Sequence, residues 1–376
     1  MKPSPLLLST FRCARVALFR AILGLSAVVL LPVVSLAQET RKVDPDGTIH
    51  VPAFVLPESS LLSEETRASL KHMRDTMEPD SKVCPATSDN TDRATMATAR
   101  ECEAKEFYKS TFYKNFRDQF DVVVTTRTIG GVLTEVFTPK SGVAPRNKDR
   151  VLINVHGGHF KAGSRTISHL ESMPIASVGK IQIISVDYRM APEYAFPAAS
   201  EDVAAVYREL LKTYKPQNIG IYGCSAGSLL AAESIAWFQK EGLPLPAGVG
   251  MFGGAASYYQ EGDSGHLASV LDAFELEPPS KHPYFKATAP KDPEAFPIYS
   301  SQIMAKFPPS LLIATTRDVG ESAVVYTHSR LVKLGVEADL HVWEGLGHCF
   351  FSIPEVPESH DVYDVIVKFF DKHLGH

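Results

Sequence analysis

The chain has 376 residues, of which 44% are hydrophobic and 22% charged, and its net charge is −5. That balance excludes wholesale disorder, a collagen-like repeat and a multi-span membrane protein. It carries no long basic run, which excludes nucleic acid as a main partner, because phosphate binding needs clustered Lys and Arg.

Residues 1–37 differ from the rest. Their only charges are Lys2, Arg12, Arg15 and Arg20, and a mostly apolar run follows from Ala21 to Val34, ending in Ser35-Leu36-Ala37. This layout predicts a secretory signal cleaved after Ala37 and a secreted or periplasmic mature chain. The alternative is an uncleaved anchor, but the run is short for a ~20-residue span, so the mature chain is not expected to insert stably in a membrane. Losing these four cations takes the net charge from −5 to −9, and Cys13 goes with them. Cys84, Cys102, Cys224 and Cys349 remain, and sequence alone leaves their three possible pairings open.

Residues 38–120 read as an N-terminal helical cap region. An extended piece over His50–Val55 precedes a helix near Glu64–Met73, a loop containing Cys84, and a helix from about Arg93 to Phe116. From Asp121 onward, short β-branched runs alternate with helix-length segments. Val122–Thr128 and Val132–Phe137 predict a hairpin about Gly130-Gly131. Val151–Val155, Ile181–Val186, Ile219–Tyr222, Gly248–Phe252, Leu311–Thr315 and Leu340–Trp343 follow as strands, with helices over Glu201–Leu211, Ser228–Gln239 and Ser322–Leu334. Near-continuous apolar strands alternating with helices predict an α/β fold with a mainly parallel sheet covered on both faces. Pro278–Pro297 holds six prolines and predicts an irregular excursion.

The strongest chemical signal is Gly223-Cys224-Ser225-Ala226-Gly227, between a strand and a helix. G-x-S-x-G suits a sharp strand-to-helix turn that leaves the serine hydroxyl exposed, near the positive end of the following helix. A serine hydroxyl needs a base and an orienting acid. His348 follows the strand Leu340–Trp343 and Asp318 follows Leu311–Thr315, giving the order Ser…Asp…His. Asp318 also suits a helix cap, and Glu321 is the substitute acid. After Val151–Val155, the stretch His156-Gly157-Gly158-His159 has a Gly pair whose backbone N–H groups would converge on a substrate oxygen. The H-x-x-H spacing also admits metal, but a Gly-Gly turn is not a metal-binding helix and no metal is expected.

These residues resemble the hormone-sensitive-lipase-like branch of the α/β-hydrolases. The resemblance covers roughly Val122 to the C-terminus and rests on the HGG loop, Asp187–Glu193, Phe196-Pro197-Ala198-Ala199, the GxSxG elbow and the Asp318 and His348 regions. It implies an α/β-hydrolase fold over residues 121–376, esterase or lipase chemistry on a small-molecule ester, no cofactor, and helical cap elements. It also implies an oxyanion hole at Gly157, Gly158, His159 and Ala226, in which Gly157 shapes the turn and the other three supply N–H groups. Asp187–Arg189 would brace that loop. Two residues depart from the family pattern: His159 stands where a third Gly is usual, and Cys224 where an acidic residue is usual.

Cys224 directly precedes the serine and Cys349 directly follows the histidine. If Ser225 and His348 lie within hydrogen-bonding reach, their chain neighbours, ~3.8 Å away, come within disulfide separation. This looks like the CS-D-HC arrangement of tannases and feruloyl esterases, which implies a Cys224–Cys349 bridge and leaves Cys84 and Cys102 to pair. Four free thiols are the alternative. The expectation is thus a secreted serine esterase. Lactone or aromatic-ester hydrolysis is the alternative within that chemistry, and a non-catalytic small-ligand binder is the alternative outside it.

Overall fold

A computed structural model describes residues 41–76, 83–85, 92–272 and 277–375; the expected signal segment lies outside them. The chain divides into two compact units, up to Pro57 and from Glu58 onward. In the first, strands β1 (Lys42–Val43) and β2 (Ile49–His50) pair antiparallel, with Asp44 taking bonds from Lys42 and His50.

The second unit opens with helices α1 (Glu64–Thr76), α2 (Arg93–Lys109) and α3 (Thr111–Gln119). The single helix expected over Arg93–Phe116 is broken at Ser110. Its hydroxyl accepts the Tyr113 N–H at 3.0 Å, and its own N–H closes the preceding helix on Glu106 and Phe107. A serine favours such a cap over a helix interior because its side chain competes for backbone donors.

Then follow β3 (Val122–Ile129), β4 (Val132–Pro139), β5 (Val151–Asn154), α4 (Ile167–Gly179), β6 (Gln182–Val186), α5 (Ala198–Leu210), β7 (Ile219–Cys224), α6 (Ala226–Lys240), β8 (Gly248–Phe252) and α7 (Asp263–Asp272). A short α8 (Ser301–Met304), β9 (Ser310–Thr315), α9 (Glu321–Lys333), β10 (Ala338–Trp343) and α10 (Pro357–His373) complete the unit. The eight strands β3–β10 form one sheet, in the order β10-β9-β8-β7-β5-β6-β4-β3. Only β3–β4 and β4–β6 pair antiparallel.

Side chains alternate across each strand, so the sheet has two apolar faces. Ile153, Ile221, Met251 and Leu312 pack toward α5, α6 and α9, whereas Leu152, Tyr222, Phe252 and Ile313 pack toward α4 and α10. At Gly220 a Cβ would stand 2.5 Å from the Phe370 ring, so the glycine lets α10 seat on the sheet. Among the described residues no helix is long and apolar enough to cross a membrane.

Because β5 and β7–β10 run parallel, their carboxyl ends share one edge, where open α/β sheets bind ligands. The N-terminal helices reach toward that edge. From α2, Arg100 donates through Nε to the Lys161 carbonyl (2.5 Å), through Nη2 to the Ala191 carbonyl (2.5 Å), and through both terminal nitrogens to Glu193. Cys102, one helical half-turn on, is bridged to Cys84. Arg100→Ala would leave Glu193 and two carbonyls without this partner, a loss of about 3 kcal/mol. Urea unfolding should record it, and Arg100→Lys should recover little, because an ammonium lacks the planar fork.

Candidate active site

Ser225 sits between β7 and α6 with φ 60° and ψ −125°, a backbone region that costs a non-glycine residue about 1–3 kcal/mol. Three features hold it there. Its N–H donates to the Phe252 carbonyl at 2.8 Å. A Cβ on Gly223 or Gly227 would stand 2.1 Å or 1.9 Å from the Val155 carbonyl, so only glycines let β5 pass under the turn. The preceding Cys224 is bonded to Cys349 across 6.4 Å between Cα atoms.

Two strands away on the same edge, Asp318 follows β9. It is 2% exposed, and its Oδ1 accepts the Gly320 N–H at 2.7 Å and the His348 Nδ1–H at 2.7 Å. That bond fixes the imidazole tautomer and leaves Nε2 as a base. The His348 ring is 29% exposed. Gly253, at the end of β8, passes behind the pair, where a Cβ would lie 3.0 Å from Asp318 Oδ2 and from His348 Cε1. The loop bearing His348 is tied down by the Gly345 N–H on Thr316 Oγ1 and by the Ser59 hydroxyl on Glu344. Glu321 opens α9, and its carboxyl pKa is raised by burial and by Asp318; the bond from His348 Nδ1 goes to Asp318.

After β5 the chain makes a strained turn, with φ 113° at Gly158, 55° at His159 and 54° at Phe160. A Cβ on Gly158 would stand 2.3 Å from the Ala162 carbonyl. His156 is fully buried, its ring 2.8 Å from the Gly157 carbonyl and stacked on Tyr188, whose hydroxyl donates to the His156 carbonyl at 2.7 Å. The expected bracing of this loop thus comes from Tyr188. The Gly157 N–H donates to Glu171 Oε1 at 2.9 Å, so it is engaged inside the protein and does not face a substrate oxygen. The N–H groups of Gly158, His159 and Ala226 have no hydrogen-bond partner among the described residues.

A family model described as alpha/beta hydrolase fold matches residues 152–352, more than half of the sequence. The chain belongs to the α/β-hydrolase fold family. The hydrolase is 27% identical to an acetyl-hydrolase of Streptomyces hygroscopicus, over 64% of this chain and 82% of that one. It is 26% identical to a versiconal hemiacetal acetate esterase of Dothistroma septosporum, over 64% and 77%. Among solved structures, esterase E25 superposes with a TM-score of 0.72 at 27% identity, covering 87% of this chain and 99% of that one. An esterase from the bacterial hormone-sensitive lipase family shares the fold, with a TM-score of 0.68 at 24% identity and coverage of 83% and 99%.

Sequence reasoning missed four residues of this hydrolase's site: Arg100, Glu171, Tyr259 and His282. Glu171 has a legible signal, a lone carboxyl in the mostly apolar stretch His169–Ala176. It is fully enclosed, with Oε1 on the Gly157 N–H and Oε2 accepting from Asn154 Nδ2 at 2.8 Å, and burial pushes its pKa up to about 7 from the ordinary 4.5. Between those two pH values the folded chain keeps a proton that the unfolded chain releases. Stability from this group is therefore complete below about pH 4.5 and falls as pH rises to about 7, by roughly 3 kcal/mol. Glu171→Gln removes the titration. Urea unfolding at pH 4.5 and pH 8 should show the variant gaining on the wild type by that amount; parallel behaviour would contradict the assignment.

Proposed function

We propose that this hydrolase cleaves carboxylic esters through an acyl-enzyme formed on Ser225. The observation that carries the reading is the 2.7 Å bond from His348 to a buried Asp318, on the sheet edge where the strained turn presents Ser225. Ser225 Oγ attacks the ester carbonyl while His348 Nε2 takes its proton. Asp318 holds Nδ1–H and stabilises the imidazolium. The Gly158, His159 and Ala226 N–H groups receive the oxyanion, aided by the positive end of α6. As the tetrahedral intermediate collapses, the leaving alcohol recovers the proton from His348. A water deprotonated by the same nitrogen then releases the acid.

The named acetyl-hydrolase and acetate-esterase relatives favour small acyl groups. Two disulfides favour an oxidising compartment, in keeping with a secretory signal over residues 1–37, so the proposal includes export. A non-catalytic binder on the same fold would not need a histidine oriented by a buried acid.

Ser225→Ala should abolish turnover of p-nitrophenyl acetate with the melting temperature unchanged, and Asp318→Asn should lower kcat by up to ~10⁴-fold. A fluorophosphonate probe should label the wild type at Ser225. Near-wild-type turnover by Ser225→Ala, or no labelling of an active preparation, would sink the serine-esterase reading.

A further inference from the structure

His159 keeps a side chain at φ 55°, in a turn where its own N–H is one of the three proposed oxyanion donors. Two neighbours hold it in that conformation. His282 is fully buried; its Nδ1 accepts the Tyr284 N–H at 3.2 Å, so its proton sits on Nε2 and is donated to the His159 carbonyl at 3.0 Å. Burial lowers the His282 pKa to about 3, so this clamp is a neutral imidazole of fixed tautomer. From the loop after β8, Tyr259 brings its hydroxyl to 2.8 Å from His159 Nδ1, the two rings meeting edge-on at 85°.

Tyr259 is 2% exposed, and burial raises its pKa, so the phenol stays protonated. A buried phenol must place its hydrogen on an acceptor, and His159 Nδ1 is positioned to take it. A neutral imidazole that accepts at Nδ1 carries its proton on Nε2. His159 is neutral, since partial burial first, and then its nearness to His348 and Lys161, lower its pKa to about 4. The residue is exposed, and its Nε2 has no hydrogen-bond partner among the described residues. The result is an N–H donor held on one nitrogen by the protein and open on the other. It stands one side chain away from the oxyanion site, and Tyr259 belongs to the same loop as Gly253, which touches His348.

We propose that the His159 imidazole is a specificity-determining donor, its Nε2–H recognising a second oxygen acceptor that the substrate carries close to the scissile ester. The favoured class is then an ester with an ether or carbonyl oxygen separated by one to three atoms from the reacting carbonyl carbon, on its acyl or its alcohol side, over the plain alkyl ester of the same shape. Tyr259 acts through His159 as a positioning residue, because its hydroxyl selects the tautomer. This inference rests on the ester-hydrolase reading.

Two isosteric pairs test it: p-nitrophenyl methoxyacetate against p-nitrophenyl butyrate for the acyl side, and 2-methoxyethyl acetate against butyl acetate for the alcohol side. Comparing the kcat/KM ratio within a pair between wild type and variant cancels intrinsic reactivity. His159→Phe keeps a ring without a donor, and Tyr259→Phe keeps the packing without the hydroxyl. In at least one pair the preference for the oxygen-bearing ester should fall about three- to tenfold in His159→Phe, the contribution of one neutral hydrogen bond. It should fall in the same direction in Tyr259→Phe, which decides the matter alone if His159→Phe does not fold. Ratios unchanged from wild type in both pairs would overturn the donor role while leaving the esterase reading intact. Failure of the wild type to hydrolyse any of the four esters would overturn both.

Discussion

The disulfide between Cys224 and Cys349 is the constraint on which the site's geometry depends. His348 leaves the sheet from β10, whereas Ser225 stands at the end of β7, three strands away in the order β10-β9-β8-β7. At ~4.8 Å per strand that is a lateral distance of about 14 Å. The histidine loop must therefore run back across the ends of β9 and β8, and on the way it meets Asp318 and Gly253. The sulfur bridge fastens the far end of that return to the residue before Ser225, joining positions 125 apart in sequence. Hydrogen bonds along the crossing set the ring's orientation, while the covalent bond sets how far the loop travels.

The position before Ser225 carries the sulfur bond, and a buried carboxyl approaches the neighbouring turn from α4. Glu171 takes the Gly157 N–H and Asn154 Nδ2, and so ties α4 to the end of β5 and the turn after it. With Gly157 engaged in this way, the N–H groups left without a partner among the described residues of these two turns include those of Gly158, His159 and Ala226. The strained backbone of His159 is in turn held by His282 and Tyr259, residues of two further segments. The loop is thus over-determined from below, behind and beside, as a strained turn requires if it is to persist.

Much of this was legible in the sequence because it rests on local rules. Gly248–Phe252 is a strand with the expected bounds, and the other seven strands differ by one or two residues at an end. The glycines of the elbow and of the HGG turn answer to close approaches that any fold with this turn imposes. What escaped was set by tertiary packing. α4 is buried on nearly all sides and contains Pro174, so it shows no amphipathic stripe and carries a helix-breaking residue. Glu171 lies on that helix and could not be placed without it. Ser110 split a helix whose composition reads as continuous, and Tyr259 and His282 sit in irregular segments whose path no periodicity encodes.

The claim that the bridge registers base against nucleophile is tested most directly by kcat for p-nitrophenyl acetate in the Cys224→Ser, Cys349→Ser double variant, with circular dichroism verifying that the sheet is retained. A drop of about 10²-fold is expected, the cost of misplacing a catalytic group by about 1 Å. Turnover equal to the wild type in a folded double variant would contradict the account.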